Sequence, residues 1–321
     1  MGASVAIAQS QSGDGPIHRP AAPKKRHRSA LAREEMRDGY IMILPWIIGF
    51  VLFTAGPMIF SLIMSFTSWG GLSAPKWAGL DNYRTLFSER LIGVALYNTA
   101  FYTFLSVPLH VLGAMTIGLA MNMRLRGIRW YRTIYYLPAI TPAVASTLLW
   151  MLIFQPQFGV ANWLLGLVGV PKQSWLLDPQ LSKPTLIIMS LWAVGGGMPI
   201  FLAGLQGIAV ELYEAARIDG ARAWAVLRYI TLPLLTPVIF FSIITGMIGS
   251  FQVFTSAYLV SNGEGGPEYS TLFYVLYLYR NAFVYFKMGY ASAMAWVLLV
   301  IILFFTAVQF KGSQRWVYYE S

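Results

Sequence analysis

Residues 211–234 read "ELYEAARIDGARAWAVLRYITLPL", a charged, alanine-rich interval between two long apolar runs. Alanine, leucine and glutamate favour a short helix over 211–219. Glu211 and Glu214 lie near its N-terminal end, where the helix dipole favours negative charge. Ala215 and Ala216 are expected to make a surface shallow enough for a partner to approach closely. Gly220 can take the left-handed conformation that ends a helix. A second helical piece follows, with Trp224, Leu227 and Ile230 spaced to share one apolar face against the rest of the chain. Pro233 opens the next run, where a missing amide proton costs little. The interval is thus expected to be a surface helix tied rigidly to the apolar run after it.

What surrounds the interval decides which surface this is. Of 321 residues, 57% are hydrophobic and 11% charged, against about 25% charged in soluble domains. A bilayer crossing needs about 20 apolar residues, and six runs qualify: 41–67, 97–122, 133–154, 185–207, 234–260 and 288–310. They are too long for soluble core helices and do not alternate as barrel strands would. The expected fold class is therefore an all-α polytopic membrane protein. Six transmembrane helices occupy a domain over 40–312, with the surface helix in the loop 208–233. Residues 1–39 are rich in Pro, Ala and charge and cannot build a core. They are expected to be a basic tail that stays attached, because the order of charge and apolar residues is not that of a signal peptide. Residues 313–321 form a second, short tail.

Sixteen of the 23 Lys and Arg fall in the N-terminal tail, around 123–132, in 208–233 and after the last run. By the positive-inside rule, both termini and the loop 208–233 are expected on the cytoplasmic side of the inner membrane. The net charge of +10 then reads as topology and not as nucleic-acid binding. The absence of cysteine excludes disulfide and thiol chemistry.

The six runs contain no Asp, Glu, Lys or Arg, and His110 is their one imidazole. Ion-coupled carriers commonly need intramembrane acids or histidines, metal sites need His and carboxylate clusters, and aspartyl enzymes need a carboxylate pair. None is present, so no catalytic or metal-ligating residue is expected. His110 reads as a packed, hydrogen-bonded residue. The runs are instead rich in breakers and uncharged polar groups: Pro138 and Pro142 in the third, Gly195, Gly196, Gly197 and Pro199 in the fourth. Such breakers are tolerated beside a cavity or where neighbouring helices satisfy the freed backbone; close packing through small residues is the alternative. In the fifth run, "GSFQVFTSAY" sets Ser250, Gln252, Thr255 and Ser256 among Phe251, Phe254 and Tyr258. That chemistry suits an uncharged, hydroxyl-rich solute, or else helix–helix contacts. No phosphate-binding loop is present, so either the protein is a passive channel or another subunit hydrolyses nucleotide.

Glu214-Ala215-Ala216, then Gly220 after three residues, Ile230 after nine more, and Leu232-Pro233 after one is similar to the EAA motif. This motif marks permease subunits of binding-protein-dependent ABC importers. There it forms the coupling helix that docks in a cleft of the ATPase. "WAGLDNYRTLF" (77–87), "YYLPAITP" (135–142), "LYEAARIDGA" (212–221) and "NGEGGPEYSTLFYVLYLYRNAF" (262–283) extend the likeness over most of 40–321. They resemble the carbohydrate-uptake group, more narrowly the maltose- and glycerol-phosphate-type sugar permeases. Glu264 departs from that pattern, in a place usually small or neutral. The resemblance implies a non-catalytic permease working with a second, unlike permease, a pair of ABC ATPase subunits and an extracytoplasmic solute-binding protein, amid membrane lipid. It implies no cofactor in this chain, with ATP and Mg bound by the partner ATPase. It further implies a solute path at Ser190, Trp192 and Gly197 of the fourth helix and Ser250, Phe251 and Gln252 of the fifth. A stand-alone secondary carrier or channel for a neutral solute is the alternative. A membrane-embedded transferase or hydrolase would need an acid–base pair, and Asp81, Asp178 and Glu264 are scattered.

Overall fold

Inside a bilayer a chain must satisfy its own backbone polar groups, so long apolar runs fold as helices. A computed structural model of the chain describes residues 30–123 and 126–318. They fall into two units, one ending at Pro57 and one beginning at Met58. In the first, α1 (Ala30–Phe50) leads into a π turn over Val51–Ala55. This revises the tail expected over 1–39. Residues 1–29 lie outside the described residues, but the helix has already begun at Ala30, because 30–37 ("ALAREEMR") is a run of helix formers.

α2 (Gly56–Ser65) spans the boundary, and the second unit continues from it into a short hairpin, β1 (Thr67–Ser68) antiparallel to β2 (Lys76–Trp77). Then come α3 (Asp81–Ser88), α4 (Arg90–Met121), α5 (Ile128–Tyr136), α6 (Ala143–Ile153) and α7 (Val160–Leu167). After a loop follow α8 (Ser182–Leu191), α9 (Met198–Gln206), α10 (Val210–Ile218), α11 (Ala223–Val226), α12 (Leu232–Phe251) and α13 (Thr255–Val260). The chain ends through α14 (Tyr274–Tyr279) and α15 (Met288–Ser313).

Four helical stretches among the described residues are long and apolar enough to cross a membrane: Glu34–Ser65, Arg90–Met121, Ala223–Val260 and Met288–Ser313. The other two expected spans are not straight helices. The third bends by 95° between Ile128–Ile140 and Ala143–Ile153. Pro142 is the cause: it drives Thr141 to an extended ψ of 132°, away from the helical region. The fourth bends by 47° between α8 and the segment Val194–Gln206, across Trp192 and Ala193 just before the glycine triplet. Among the described residues, then, length and composition allow up to six crossings if each bent pair is counted as one. The short tail after residue 312 packs back on the fifth span. Trp316 packs edge-on against Phe240, and the Tyr318 amide donates to Thr236 Oγ1 at 2.9 Å.

The core of the second unit is built around α4, which runs past α8, α9, α12 and α14. Small residues let these backbones close up. A Cβ at Gly118 would lie 2.8 Å from Phe201 Cβ, and one at Gly195 would fall 1.8 Å from the Tyr135 carbonyl oxygen. Asn98 anchors the segment after α13: its amide donates to the Tyr269 carbonyl (2.7 Å) and the Leu272 carbonyl (3.1 Å). Its side-chain oxygen accepts from Lys183 Nζ at 2.9 Å. Tyr274, fully buried, donates its hydroxyl to the Met294 carbonyl at 2.9 Å.

Candidate coupling surface and solute cavity

The charged interval 211–234 folds as α10 and its continuation, between the broken fourth span and the fifth. The C-terminus of α10 is a Schellman cap: the Ala221 amide donates to the Ala216 carbonyl at 2.9 Å and the Gly220 amide to the Arg217 carbonyl at 3.1 Å. Gly220 sits at φ +69° with nothing near the position a Cβ would take. Of the motif residues, Glu214 and Ala215 are exposed, whereas Ala216 is buried. Only one of the two alanines therefore contributes to the outward surface. Helix periodicity explains this, since Tyr213 and Ala216 share the inner face. Tyr213 packs with Leu205, Ile208 and Leu235 and bonds Thr231 Oγ1 at 3.3 Å. Ile230, Leu232 and Pro233 lie at the junction of a π turn (Leu227–Thr231) and α12.

Trp224 does not pack on the bundle as its spacing suggested; it is 72% exposed. Sequence reasoning also missed Ile218, which is 87% exposed beside Glu214 and Ala215. An apolar side chain breaking the polar outer face of α10 was the signal available for it.

A cavity of about 300 Å³ lies where α4, α8 and α12 meet. Its polar lining comes from Tyr102, His110, Ser190, Ser242, Thr245 and Ser250. Two of the expected path residues, Ser190 and Ser250, are brought together here from opposite sides of the coupling loop. The other four are elsewhere. Trp192 packs edge-on to Trp150, and Gly197 closes on Ala114, with a hypothetical Cβ at 2.7 Å. Phe251 is buried and stacked on Phe305. Gln252 is exposed and donates to its own helix at the Ile248 carbonyl, 3.1 Å away. His110 presents Nδ1 to the Ser106 carbonyl at 2.9 Å and Nε2 to the Ser190 carbonyl at 3.0 Å. It is the packed, hydrogen-bonded histidine expected from the sequence, and it also lines the cavity. None of the lining groups is an acid, lysine or arginine, so the space offers hydroxyl donors and acceptors beside apolar walls. A wider groove of about 720 Å³ between α3, α4 and α15 holds none of the expected path residues.

A family model described as "Binding-protein-dependent transport system inner membrane component" matches residues 111–316, which include α10, its cap and most of the cavity lining. The chain belongs to this family. Among its relatives, the "Probable ABC transporter permease protein YesP" of Bacillus subtilis (strain 168) is 45% identical over 297 residues, 92% of this chain and 96% of that protein. The "Lactose transport system permease protein LacF" of Rhizobium radiobacter is 33% identical, covering 90% of this chain and 98% of that one. A solved chain of a bacterial alginate ABC transporter, in complex with an alginate pentasaccharide-bound periplasmic protein, superposes with a TM-score of 0.78 at 26% identity. That match covers 89% of this chain and 98% of the other.

At the end of the permease away from α10, Glu89 accepts hydrogen bonds from the hydroxyls of Tyr277 and Tyr290. Burial first, and the Glu89 hydrogen bond second, push the Tyr277 hydroxyl well above its ordinary pKa, so it stays a donor. This cluster ties α14 and α15 to the start of α4. Sequence reasoning did not single out Glu89, because its partners lie 188 and 201 positions away.

Proposed function

We propose that this permease is the membrane subunit of an ABC importer, passing a sugar or related polyol and driven by ATP hydrolysis on separate subunits. The observation that carries the reading is α10: a capped helix with an exposed Glu214–Ala215 edge, set between the two spans that contribute Ser190 and Ser250 to one cavity. In this reading Glu214 makes polar contacts with the ATPase, Ala215 permits close approach, and Ile218 adds apolar area. Ala216, Ile230, Leu232 and Pro233 join the helix to the bundle, and Gly220 lets the chain leave it without strain. The solute class is supported by the uncharged hydroxyl lining and by relatives named for lactose and for trehalose/maltose transport. The assembly comprises a second, unlike permease, a pair of ATPase subunits holding ATP and Mg, and an extracytoplasmic binding protein. Both termini and α10 face the cytoplasm across six crossings. Ser190 and Ser250 line the solute path, with Trp192, Gly197, Phe251 and Gln252 around it.

One experiment tests orientation and coupling together. Single cysteines placed in this cysteine-free chain at Ser73 and Ser261 should react with a membrane-impermeant thiol reagent in intact cells. One at Ala223 should react only after the membrane is opened, and should be shielded when the ATPase is co-expressed. Labelling of Ala223 from outside would overturn both assignments.

A further inference from the structure

The fourth span is broken part-way along, and a broken helix leaves its last carbonyls without partners of its own. α8 ends at Leu191 and helix resumes at Val194, bent by 47°. The terminal carbonyls are met locally where possible: Ser190 Oγ donates to the Ile187 carbonyl at 2.6 Å, and the Trp192 amide to the Met189 carbonyl at 3.3 Å. The Ser190 carbonyl has the Ala193 amide at 3.2 Å and, from another helix, His110 Nε2 at 3.0 Å.

His110 stands one turn from the tightest contacts between α4 and the break. A Cβ at Gly113 would lie 2.7 Å from Val194 Cγ2, and Gly197 closes on Ala114. His110, Gly113, Ala114 and Gly118 follow the spacing of one helix face. Below the break, then, α4 and α9 meet through close small-residue packing; at the Ser190 end of the break, α4 supplies two polar side chains, Tyr102 to the Ser190 side chain and His110 to the Ser190 carbonyl. Both ring nitrogens face carbonyl oxygens, which only accept, whereas a neutral imidazole has one N–H to donate. With the proton on Nε2 the ring bridges α4 to α8. With it on Nδ1 the ring bonds back to Ser106 within α4 and lets Ser190 go.

We infer that His110 is the pin of the hinge in the fourth span, a positioning residue whose Nε2–H holds the Ser190 carbonyl, and with it the Ser190 edge of the cavity, against α4. This rests on the solute-path and coupling reading above, because α9 runs directly into α10 through residues 207–209. A push on α10 reaches the break along α9, and the pin decides whether α8 stays with α4 or swings.

The test uses the full transporter complex in lipid bilayers, with ATP and vanadate as the probe. With His18 and His27 replaced by Gln, ring-¹⁵N-labelled histidine in this subunit reports on His110 alone. In the resting complex Nε2 should carry a hydrogen-bonded proton. A resting complex in which Nε2 is bare overturns the inference, and this measurement needs no variant at the pin. Spin labels at Leu105 on α4 and Ile188 on α8 then measure the two helices. His110→Phe should broaden the resting distance distribution about twofold, and His110→Gln, which keeps a donor, should restore it. A Phe variant with the parent's width also overturns the pin. If instead the parent shows no change on vanadate trapping while the Nε2–H and the Phe broadening are present, the pin stands and the coupling assignment of α10 fails.

Discussion

The coupling surface and the cavity are built in opposite ways. α10 is a local object: nine residues with their own cap, one buried alanine and an outward edge that owes little to the rest of the chain. The cavity is collective. Tyr102 and His110, Ser190, and Ser242 to Ser250 come from three helices separated by about 50 to 80 positions each, and no single one of them defines it. A surface meant to dock on another protein has to be preformed and exposed. A path for a solute has to be assembled from elements that move relative to one another, so its polar groups are shared among helices that meet at breaks.

That contrast predicts unequal responses to single substitutions. The largest effect is expected at Gly220→Leu. The site is open, so the side chain itself fits, but a φ of +69° is strained for leucine by about 1–3 kcal/mol, and the Schellman cap is the casualty. In the reconstituted complex, ATP turnover stimulated by the loaded binding protein and solute uptake should fall together by about tenfold or more. Normal stimulation with normal uptake would mean that α10 does not depend on its cap. Ser250→Ala should give a middle effect. Losing one hydroxyl from a shared set costs about 1 kcal/mol, so the half-saturating solute concentration should rise about fivefold while basal ATP turnover is kept. An effect as large as that at Gly220 would show that the cavity hangs on one residue and would remove the contrast. The smallest change is expected at Gln252→Leu, because that amide is exposed and bonds its own helix. Uptake kinetics should shift by less than about twofold; a larger loss would place Gln252 on the path in another state of the transport cycle.

Much of the motif in 211–234 was legible residue by residue: the helix and its end at Gly220 follow from backbone preferences that act within a few positions, whereas Pro233, expected to open a helix, lies inside a continuous helical stretch from Ala223 to Val260. Composition was enough for the membrane class, and His110, the one histidine within the apolar runs, was read as packed and hydrogen-bonded. The third span illustrates what hydropathy misses. It registers apolar content, and Pro142 turns that same content through 95°.

What the sequence alone determined, then, is what local chemistry controls: apolar helices, breakers at 138–142 and 195–199, a charged surface helix with its cap, and the absence of intramembrane charge. Tertiary structure decided which way each side chain faces and what it meets. It turned Ala216 inward beside Tyr213 and left Trp224 exposed. It set Gly195 against a carbonyl, with no room for a side chain, and brought His110 to Ser190 across 80 positions. The physical reason is the same in each case. Backbone preference and hydropathy are properties of a few neighbouring residues. A cavity and a hinge pin exist only when distant helices close to within hydrogen-bond distance, and small residues set how near they come.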